Sequence, residues 1–140
     1  LKSESKNDLI RELASVVASS DNRMEHDVLT EKLIDRESLS STGIGDGIAI
    51  PHCKYENING IIMAYGRSVS GRDFDSINKQ PVHHFFLIVA PNTQQAAGEH
   101  LRTLAKITRM LKDDEFKRSL LSAEDKKEIF KLISEEDAKY

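Results

Sequence analysis

The sequence predicts an α/β sandwich, a fold in which helices cover a sheet. Amphipathic helical segments open the chain, short apolar β-type segments occupy its middle, and further amphipathic helices close it. A chain of 140 residues fits one domain, and we expect residues 1–140 to form it. Hydrophobic residues at 39% and charged residues at 31% are typical of an ordinary globular protein.

Two helices are predicted at the start of the chain, where apolar residues recur at helical spacing. Ser5 and Asp8 have the spacing of a capping box at the start of the first helix. The second helix runs from about His26 to Leu39, where a Ser-Ser-Thr-Gly run ends it. The apolar face of the first helix comprises Leu9, Ile10, Leu13, Val16 and Val17.

Three β-type segments follow, at residues 47–50, 60–66 and 81–90. The last of them, PVHHFFLIVA, is apolar on both faces, which is typical of a central strand covered on two sides. Pro91 closes this segment, and the polar stretch NTQQAAGE then leads into three helices. Their apolar residues are Leu101, Leu104, Ile107 and Leu111 in the first, Phe116, Leu120 and Leu121 in the second, and Ile129, Phe130, Leu132 and Ile133 in the third.

Composition and charge exclude several classes of function. The net charge of −3 argues against a nucleic-acid partner. The longest apolar run, from Phe85 to Ala90, is far shorter than the roughly 18 residues that a bilayer span requires. The single cysteine cannot form an internal disulfide, and the first residues show no signal-peptide pattern. We therefore expect a cytoplasmic protein that does not insert into a membrane.

The stretch STGIGDGIAIPHCK, residues 41–54, raises the question of why an imidazole stands at position 52. His52 follows a short β-type segment, and strand ends are where α/β proteins place groups that contact ligands. Pro51 stiffens the backbone beside it, which helps a nucleophile to keep its orientation. The alternative is a structural histidine at the end of a buried strand, and the residues alone leave both possibilities open.

His100 and Arg36 are further candidates. We expect His100 in the first turn of the helix that contains Leu101, where free amides and the helix dipole favour a bound anion. Arg36 is near the end of the second helix, just before the turn that leads to His52, so its guanidinium can reach the same cleft. Each also has a plain structural explanation, as a residue that merely begins or ends a helix.

The other candidate motifs are interpreted as structural. His26 is expected to face solvent, and the consecutive His83 and His84 point to opposite faces of a strand, so they cannot bind one metal. The glycines at 43, 45 and 47 lack the context of a nucleotide-binding loop and suit turn conformations. Cys53 beside His52 makes a poor chelate. We therefore predict neither a metal site nor a cofactor.

A family resemblance is visible in these segments. The stretch RESLSSTGIGDGIAIPHC resembles the signature of the phosphotransferase-system (PTS) enzyme IIA family of the fructose, mannitol and nitrogen-regulatory type, in which a G-x-G-I-A-I-P-H run ends in the phosphorylated histidine. FDSINKQPVHHFFLIVAP is similar to the family's strand region, and GEHLRTLAKITRML to the helix with an early active-site histidine. Cys53 departs from the family, where glycine is most common.

The resemblance implies a fold and a set of roles. The fold is a three-layer α/β/α sandwich with a mixed sheet, and no cofactor is needed. His52 is the phosphoryl acceptor, at Nε2, while His100, Arg36 and helix-end amides stabilise the phosphoryl group. The family is one of phosphotransferases, and the donor is HPr or an NPr-type phosphocarrier.

Three functions follow from these patterns. The residues of FDSINKQPV and of the run after Pro91 resemble the nitrogen-regulatory branch most, whose members regulate partner proteins in nitrogen and metabolic control. The second hypothesis is a sugar-transport IIA that passes phosphate to a IIB domain. A third hypothesis, a metal-dependent hydrolase, predicts bound zinc.

Overall fold

Helices and strands follow one another in the order that the sequence predicts. The computed structural model describes residues 5–20, 23–39, 42–45, 47–56, 58–72, 74 and 81–138. Within these ranges two helices come first, strands occupy the middle and three helices come last, so the predicted α/β class is confirmed. The elements are α1 (Lys6–Ser20), α2 (His26–Leu39), β1 (Gly43–Gly45), β2 (Ile48–Ala49), β3 (His52–Tyr55), β4 (Ile62–Arg72), β5 (Val82–Pro91), α3 (Gln94–Met110), α4 (Asp114–Ser122) and α5 (Lys126–Asp137).

The chain forms two compact units, Leu1–His100 and Leu101–Tyr140. The first unit contains the sheet, α1, α2 and the first turns of α3. The second unit contains the remainder of α3 together with α4 and α5. A single domain over residues 1–140 stays a prediction.

β5 is the central strand of the sheet, as its apolar sequence predicts. β2 and β3 pair in parallel with one edge of β5, and β4 pairs with the other edge in antiparallel orientation. β1 adds to β2 in antiparallel orientation. The sheet is therefore mixed, as expected, and every residue of β5 from His84 to Pro91 is buried.

β2 and β3 lie in line along the same edge of β5. Ile48 pairs with His84 and His52 pairs with Ile88, so the register of the parallel pairing is unbroken from one strand to the next. The interruption includes Pro51, which has no N–H to donate to a sheet. The two short strands are thus one strand with a local break just before His52.

The core of the first unit is formed by one face of the sheet and the two N-terminal helices. Phe85, Leu87 and Val89 of β5 share this face because successive strand side chains alternate between faces. α1 packs against α2 and β4, and α2 packs against β3. Full burial of one such side chain contributes about 1.5–3 kcal/mol. The helical members of this core are Leu9, Ile10, Leu13, Ala14, Val17, Leu29 and Leu33.

Three apolar residues that were assigned to buried helix faces are exposed. Val16 in α1 is 58% exposed, Leu101 in α3 is 68% exposed and Phe130 in α5 is 73% exposed. In α1, Val16 falls just beyond the edge of the buried stripe at 100° per residue. The predicted apolar faces were therefore wrong at these three positions.

The glycine-rich stretch before His52 is more regular than predicted. Residues 43–45 form strand β1 rather than a turn, and only the third glycine of the motif, Gly47, has a positive φ, of 76°. The strand predicted over 60–66 is observed at Ile62–Arg72. Strand β3 was not predicted, because four residues are too few to show a clear period.

In the second unit, α4 and α5 each begin after an aspartate N-cap. Asp113 accepts hydrogen bonds from the N–H groups of Glu115 and Phe116 at 3.0 and 3.2 Å, and Asp125 accepts one from Glu128 at 2.9 Å. Within α4, Phe116 and Leu120 are buried. Among the described residues, no helix has the length and apolar character to cross a membrane.

Candidate functional site

His52 is the first residue of β3, and not the last residue of a strand as predicted. Its ring is half-buried, and its Nδ1 lies 2.8 Å from the carbonyl oxygen of Ile50. A carbonyl oxygen can only accept, so this contact holds the ring proton on Nδ1 and leaves a lone pair on Nε2. The neutral ring therefore has one defined nucleophilic nitrogen.

The imidazole of His100 lies against that of His52. The ring centroids are 5.3 Å apart and the ring planes are inclined by 82°, an edge-to-face arrangement. His100 is buried, at 7% exposure. Two histidines that lie far apart in the sequence thus share one site, as expected.

α3 begins earlier than the sequence analysis predicts. Most of the stretch NTQQAAGE is helical, and Thr93 Oγ1 caps the helix by accepting from the N–H of Ala96 at 3.2 Å. His100 therefore lies about 9 Å from the start of α3, at about 1.5 Å per residue. The prediction that free helix-end amides lie beside His100 was wrong. The signal that was missed is the threonine N-cap.

The surroundings lower the pKa of both imidazoles. For His52, desolvation by burial is the largest effect and lowers the pKa. The hydrogen bond to Ile50 raises the pKa, the positive charge of Arg36 lowers it, and the negative charge of Glu37 raises it. For His100, desolvation lowers the pKa first, followed by the positive charges of His52 and Lys54. Both rings are therefore neutral near pH 7, which is the form that a nitrogen nucleophile requires.

The last turn of α2 brings charged side chains to this site. Arg36 is half-buried, and because its charge lowers the pKa of His52, its guanidinium is within electrostatic range of the ring. The structure therefore places His52, His100 and Arg36 in one region of the first unit.

Glu37 is a residue that the sequence analysis missed. Its carboxylate accepts from the N–H of Thr42 at 2.8 Å and from the Thr42 hydroxyl at 2.7 Å, and Lys6 Nζ lies 3.1 Å from Oε1. These partners compensate the cost of burying a charge whose side chain is 4% exposed. A carboxylate at a helix end, followed by a Ser-Ser-Thr run, is the signal that could have indicated it.

The two residues that follow His52 in β3 point to different faces. Cys53 belongs to the core packed by α1 and α2, and burial raises the pKa of its thiol to about 12, so it is an unreactive core residue. Lys54 is exposed and shares the face of His52, and its positive charge acts on His100. Cys53 therefore adds a core contact on the sheet face opposite to that of His52.

The remaining histidines make structural hydrogen bonds. His84 is buried and its Nδ1 lies 2.8 Å from the Tyr65 hydroxyl, whereas the Nδ1 of the half-buried His83 lies 2.9 Å from the Ser68 carbonyl oxygen. His26 is partly exposed and contacts the Arg11 carbonyl oxygen at 3.0 Å. Within the described ranges, no group of three or more His, Cys, Asp or Glu side chains converges as a metal site would require.

Comparison with known proteins decides the family. The sequence model of the family described as "Phosphoenolpyruvate-dependent sugar phosphotransferase system, EIIA 2" matches residues 1–136. The chain belongs to this EIIA 2 family. Membership confirms the resemblance carried by the stretch around His52.

Relatives of this EIIA 2 chain include PTS system components and nitrogen regulatory proteins. It is 36% identical to the PTS system fructose-specific EIIABC component of Bacillus subtilis, covering 98% of this chain and 21% of that protein. It is 35% identical to a nitrogen regulatory protein of Bradyrhizobium diazoefficiens, covering 96% of this chain and 86% of that one. The crystal structure of nitrogen regulatory protein IIA-Ntr from Neisseria meningitidis superposes with a TM-score of 0.85 at 28% identity, covering 95% of this chain and 89% of that chain.

Proposed function

We propose that this EIIA 2 chain is a phosphocarrier enzyme that accepts a phosphoryl group on Nε2 of His52. The observation that carries the proposal is the pairing of two neutral imidazoles, at 5.3 Å between centroids, with Nδ1 of His52 bonded to a backbone carbonyl. The phosphoryl donor is the phosphohistidine of HPr or of an NPr-type phosphocarrier, as the family resemblance implies.

The transfer needs a nucleophile of fixed orientation and compensation of negative charge. The Nε2 lone pair attacks phosphorus, the phosphorus–nitrogen bond to the donor histidine breaks, and the donor nitrogen recovers its electron pair. Because the transition state is loose, catalysis depends on alignment and on positive groups near the phosphoryl oxygens. Arg36 provides a permanent positive charge, and His100 provides a ring nitrogen as a hydrogen-bond donor.

Phosphorylation with defined components tests the acceptor. The protein is incubated with phosphoenolpyruvate, enzyme I and HPr, and the phosphorylated residue is identified by mass spectrometry under conditions that preserve phosphohistidine. We expect incorporation of one phosphoryl group, lost completely in His52→Ala and retained in the control variant His26→Ala. Undiminished incorporation in His52→Ala would refute the proposal.

We further propose that the protein acts in nitrogen and metabolic regulation. Its matches to nitrogen regulatory proteins extend over most of their length, whereas the match to the fructose EIIABC component covers 21% of that protein. The similar identities of 35% and 36% keep sugar transport as the second candidate. In the first case phosphorylation of His52 changes the affinity for a target protein, and in the second the phosphoryl group passes to a IIB domain.

Transfer to a purified IIB domain distinguishes these two roles. The phosphorylated protein is mixed with a fructose-type or a mannitol-type IIB domain, and the phosphate on each partner is measured over time. A regulatory protein retains its phosphate, with HPr as a control acceptor that shows the phosphohistidine to be competent. Rapid, complete transfer to either IIB domain would favour sugar transport.

We also propose a cytoplasmic location, on the basis of the single cysteine and of the phosphocarrier donor. Fractionation of cells that produce the protein at its native level tests this, because the protein is expected with the cytoplasmic fraction.

A further inference from the structure

A continuous series of hydrogen bonds connects the Glu37 carboxylate to the ring of His52. Glu37 holds Thr42 through its N–H and its hydroxyl, at 2.8 and 2.7 Å. The carbonyl oxygen of Thr42 accepts from the N–H of Ile50 at 3.0 Å, and the carbonyl oxygen of Ile50 accepts from Nδ1 of His52 at 2.8 Å. Apart from the Thr42 hydroxyl, every intermediate group is backbone, so the carboxylate controls the ring through the position of one peptide segment.

We propose that Glu37 is a positioning residue that fixes the ring orientation and tautomer of His52 through Thr42 and the carbonyl oxygen of Ile50. This inference rests on the proposed function of His52 as the phosphoryl acceptor. In this proposal Glu37 acts through these intermediate groups, and not by contacting the ring or the phosphoryl group.

The arrangement around Glu37 is suited to this role. Its side chain is 4% exposed, and Lys6 of α1 balances its charge at 3.1 Å, so the carboxylate is held from two sides. Thr42 is also buried, at 4% exposure. A hydrogen bond to an ionised acceptor in a site shielded from water is stronger than one between neutral groups. The carboxylate is therefore a rigid anchor for the residues that precede His52.

The consequence for chemistry follows from the two tautomers of neutral imidazole. If the Ile50 carbonyl oxygen moves away, the ring loses the acceptor that keeps its proton on Nδ1, and a part of the population places the proton on Nε2. That part cannot attack phosphorus, because Nε2 then has no lone pair. Loss of the Glu37 contacts should therefore reduce the reactive fraction of His52 without changing the surface that a donor protein contacts.

Nitrogen NMR of the unphosphorylated protein tests the structural half of the proposal. The 15N chemical shifts of the His52 ring above pH 7 report the ratio of the two tautomers. We expect almost only the Nδ1–H form in the wild type and a mixture in Glu37→Gln. Glu31→Gln, an exposed position on the same helix, is the matched control and should leave the ratio unchanged.

A second pair of variants keeps the test decisive if Glu37→Gln folds poorly. Thr42→Val removes the hydroxyl contact and retains the backbone one, so it should also give a tautomer mixture, whereas Thr42→Ser should restore the wild-type ratio. A wild-type ratio in both Glu37→Gln and Thr42→Val, or in Thr42→Val alone if Glu37→Gln does not fold, would overturn the proposal.

Kinetics of phosphorylation by phospho-HPr supplies the second readout. In Glu37→Gln we expect kcat to fall about tenfold, with KM for phospho-HPr unchanged, because one positioning contact is lost and the docking surface is not. If His52 is not phosphorylated at all but its tautomer ratio still responds to Glu37, the proposed function fails and the positioning role stands. If His52 is phosphorylated at the wild-type rate in Glu37→Gln, the positioning role fails alone.

Discussion

The edge of one imidazole faces the plane of the other in the pair formed by His52 and His100, with 5.3 Å between centroids. Each ring lies in the other's electrostatic field, and the charge of a protonated His52 lowers the pKa of His100. The pair therefore disfavours the doubly protonated state. The protonation of these two rings therefore contributes to the pH dependence of the free energy of unfolding.

Stability should decrease as the pH falls through the histidine range. The pKa of each of the two histidines is lowered from 6.5 in the folded protein, so in the window below 6.5 the unfolded chain binds more protons than the folded one. The stabilisation is complete above that window and is lost as the pH falls through the lowered pKa values. Urea unfolding at about pH 7.5 and about pH 5.5 measures this loss.

The double variant His52→Gln/His100→Gln is the control for this measurement, since glutamine does not titrate. Its free energy of unfolding should change less between the two pH values than that of the wild type. An equal change in both proteins would show that other groups are responsible.

Arg36 and Lys54 should act on different rings. Arg36→Gln removes a charge that lowers the pKa of His52, and Lys54→Gln removes a charge that lowers the pKa of His100. We therefore expect each substitution to raise the pKa of its own histidine toward 6.5, as followed by NMR titration of the ring protons. A larger shift at the other histidine in either variant would contradict the arrangement described here.

Phosphorylation kinetics should also distinguish the role of Arg36 from that of Lys54. Arg36→Gln should reduce kcat about 100-fold, the order of magnitude for loss of one charge-stabilising donor. Lys54 is exposed, so Lys54→Gln should mainly reduce association with phospho-HPr at low salt, with little effect at high salt.

Tyr55→Phe should destabilise the protein by about 1 kcal/mol. The Tyr55 hydroxyl accepts from the N–H of Glu25 at 3.0 Å, which satisfies a backbone donor at the start of α2 and ties that end of the helix to β3. Urea unfolding monitored by circular dichroism measures the effect. Ser19→Ala, which removes an exposed local hydrogen bond, should change stability by about 0.5 kcal/mol or less.

Gly71→Ala should be far more harmful than Gly60→Ala. Gly71 has a φ of 84°, and an added Cβ would lie 2.7 Å from Cβ of Pro81 and 3.0 Å from Cε1 of His83. Backbone strain and overpacking together should cost about 2–4 kcal/mol. Among the residues that the structure describes, no atom lies within 4 Å of a Cβ added at Gly60. Gly60→Ala is therefore expected to lower the free energy of unfolding by about 0.5 kcal/mol or less. Thermal unfolding of the two variants tests this difference.

Long periodic segments explain why much of the fold could be predicted from sequence. α1 and the central strand β5 have apolar patterns that extend over many residues and match one secondary structure each. β1 and β3 contain three and four residues, and their structure depends on pairing with neighbours rather than on their own sequence. The early start of α3 was missed because its first turn is polar.

The residues of the candidate site differ in how readily they can be predicted from the sequence. His52 stands out through its motif, and His100 and Arg36 through the resemblance to a family. Glu37 has no such mark, because its importance arises from contacts with Thr42 and Lys6 that form only in the folded chain. The assignment of roles to His52, His100 and Arg36 stays a prediction until phosphorylation is measured.

The acceptor that orients the ring of His52 belongs to the main chain, at the break between β2 and β3. Every amino acid has a backbone carbonyl oxygen, so no substitution at position 50 removes the acceptor. Natural variation and engineering can therefore remove this contact of His52 only indirectly, by displacing the segment that carries the oxygen. Searches for inactivating substitutions should extend to the buried neighbours of this segment, which a mutational scan limited to His52, His100 and Arg36 would omit.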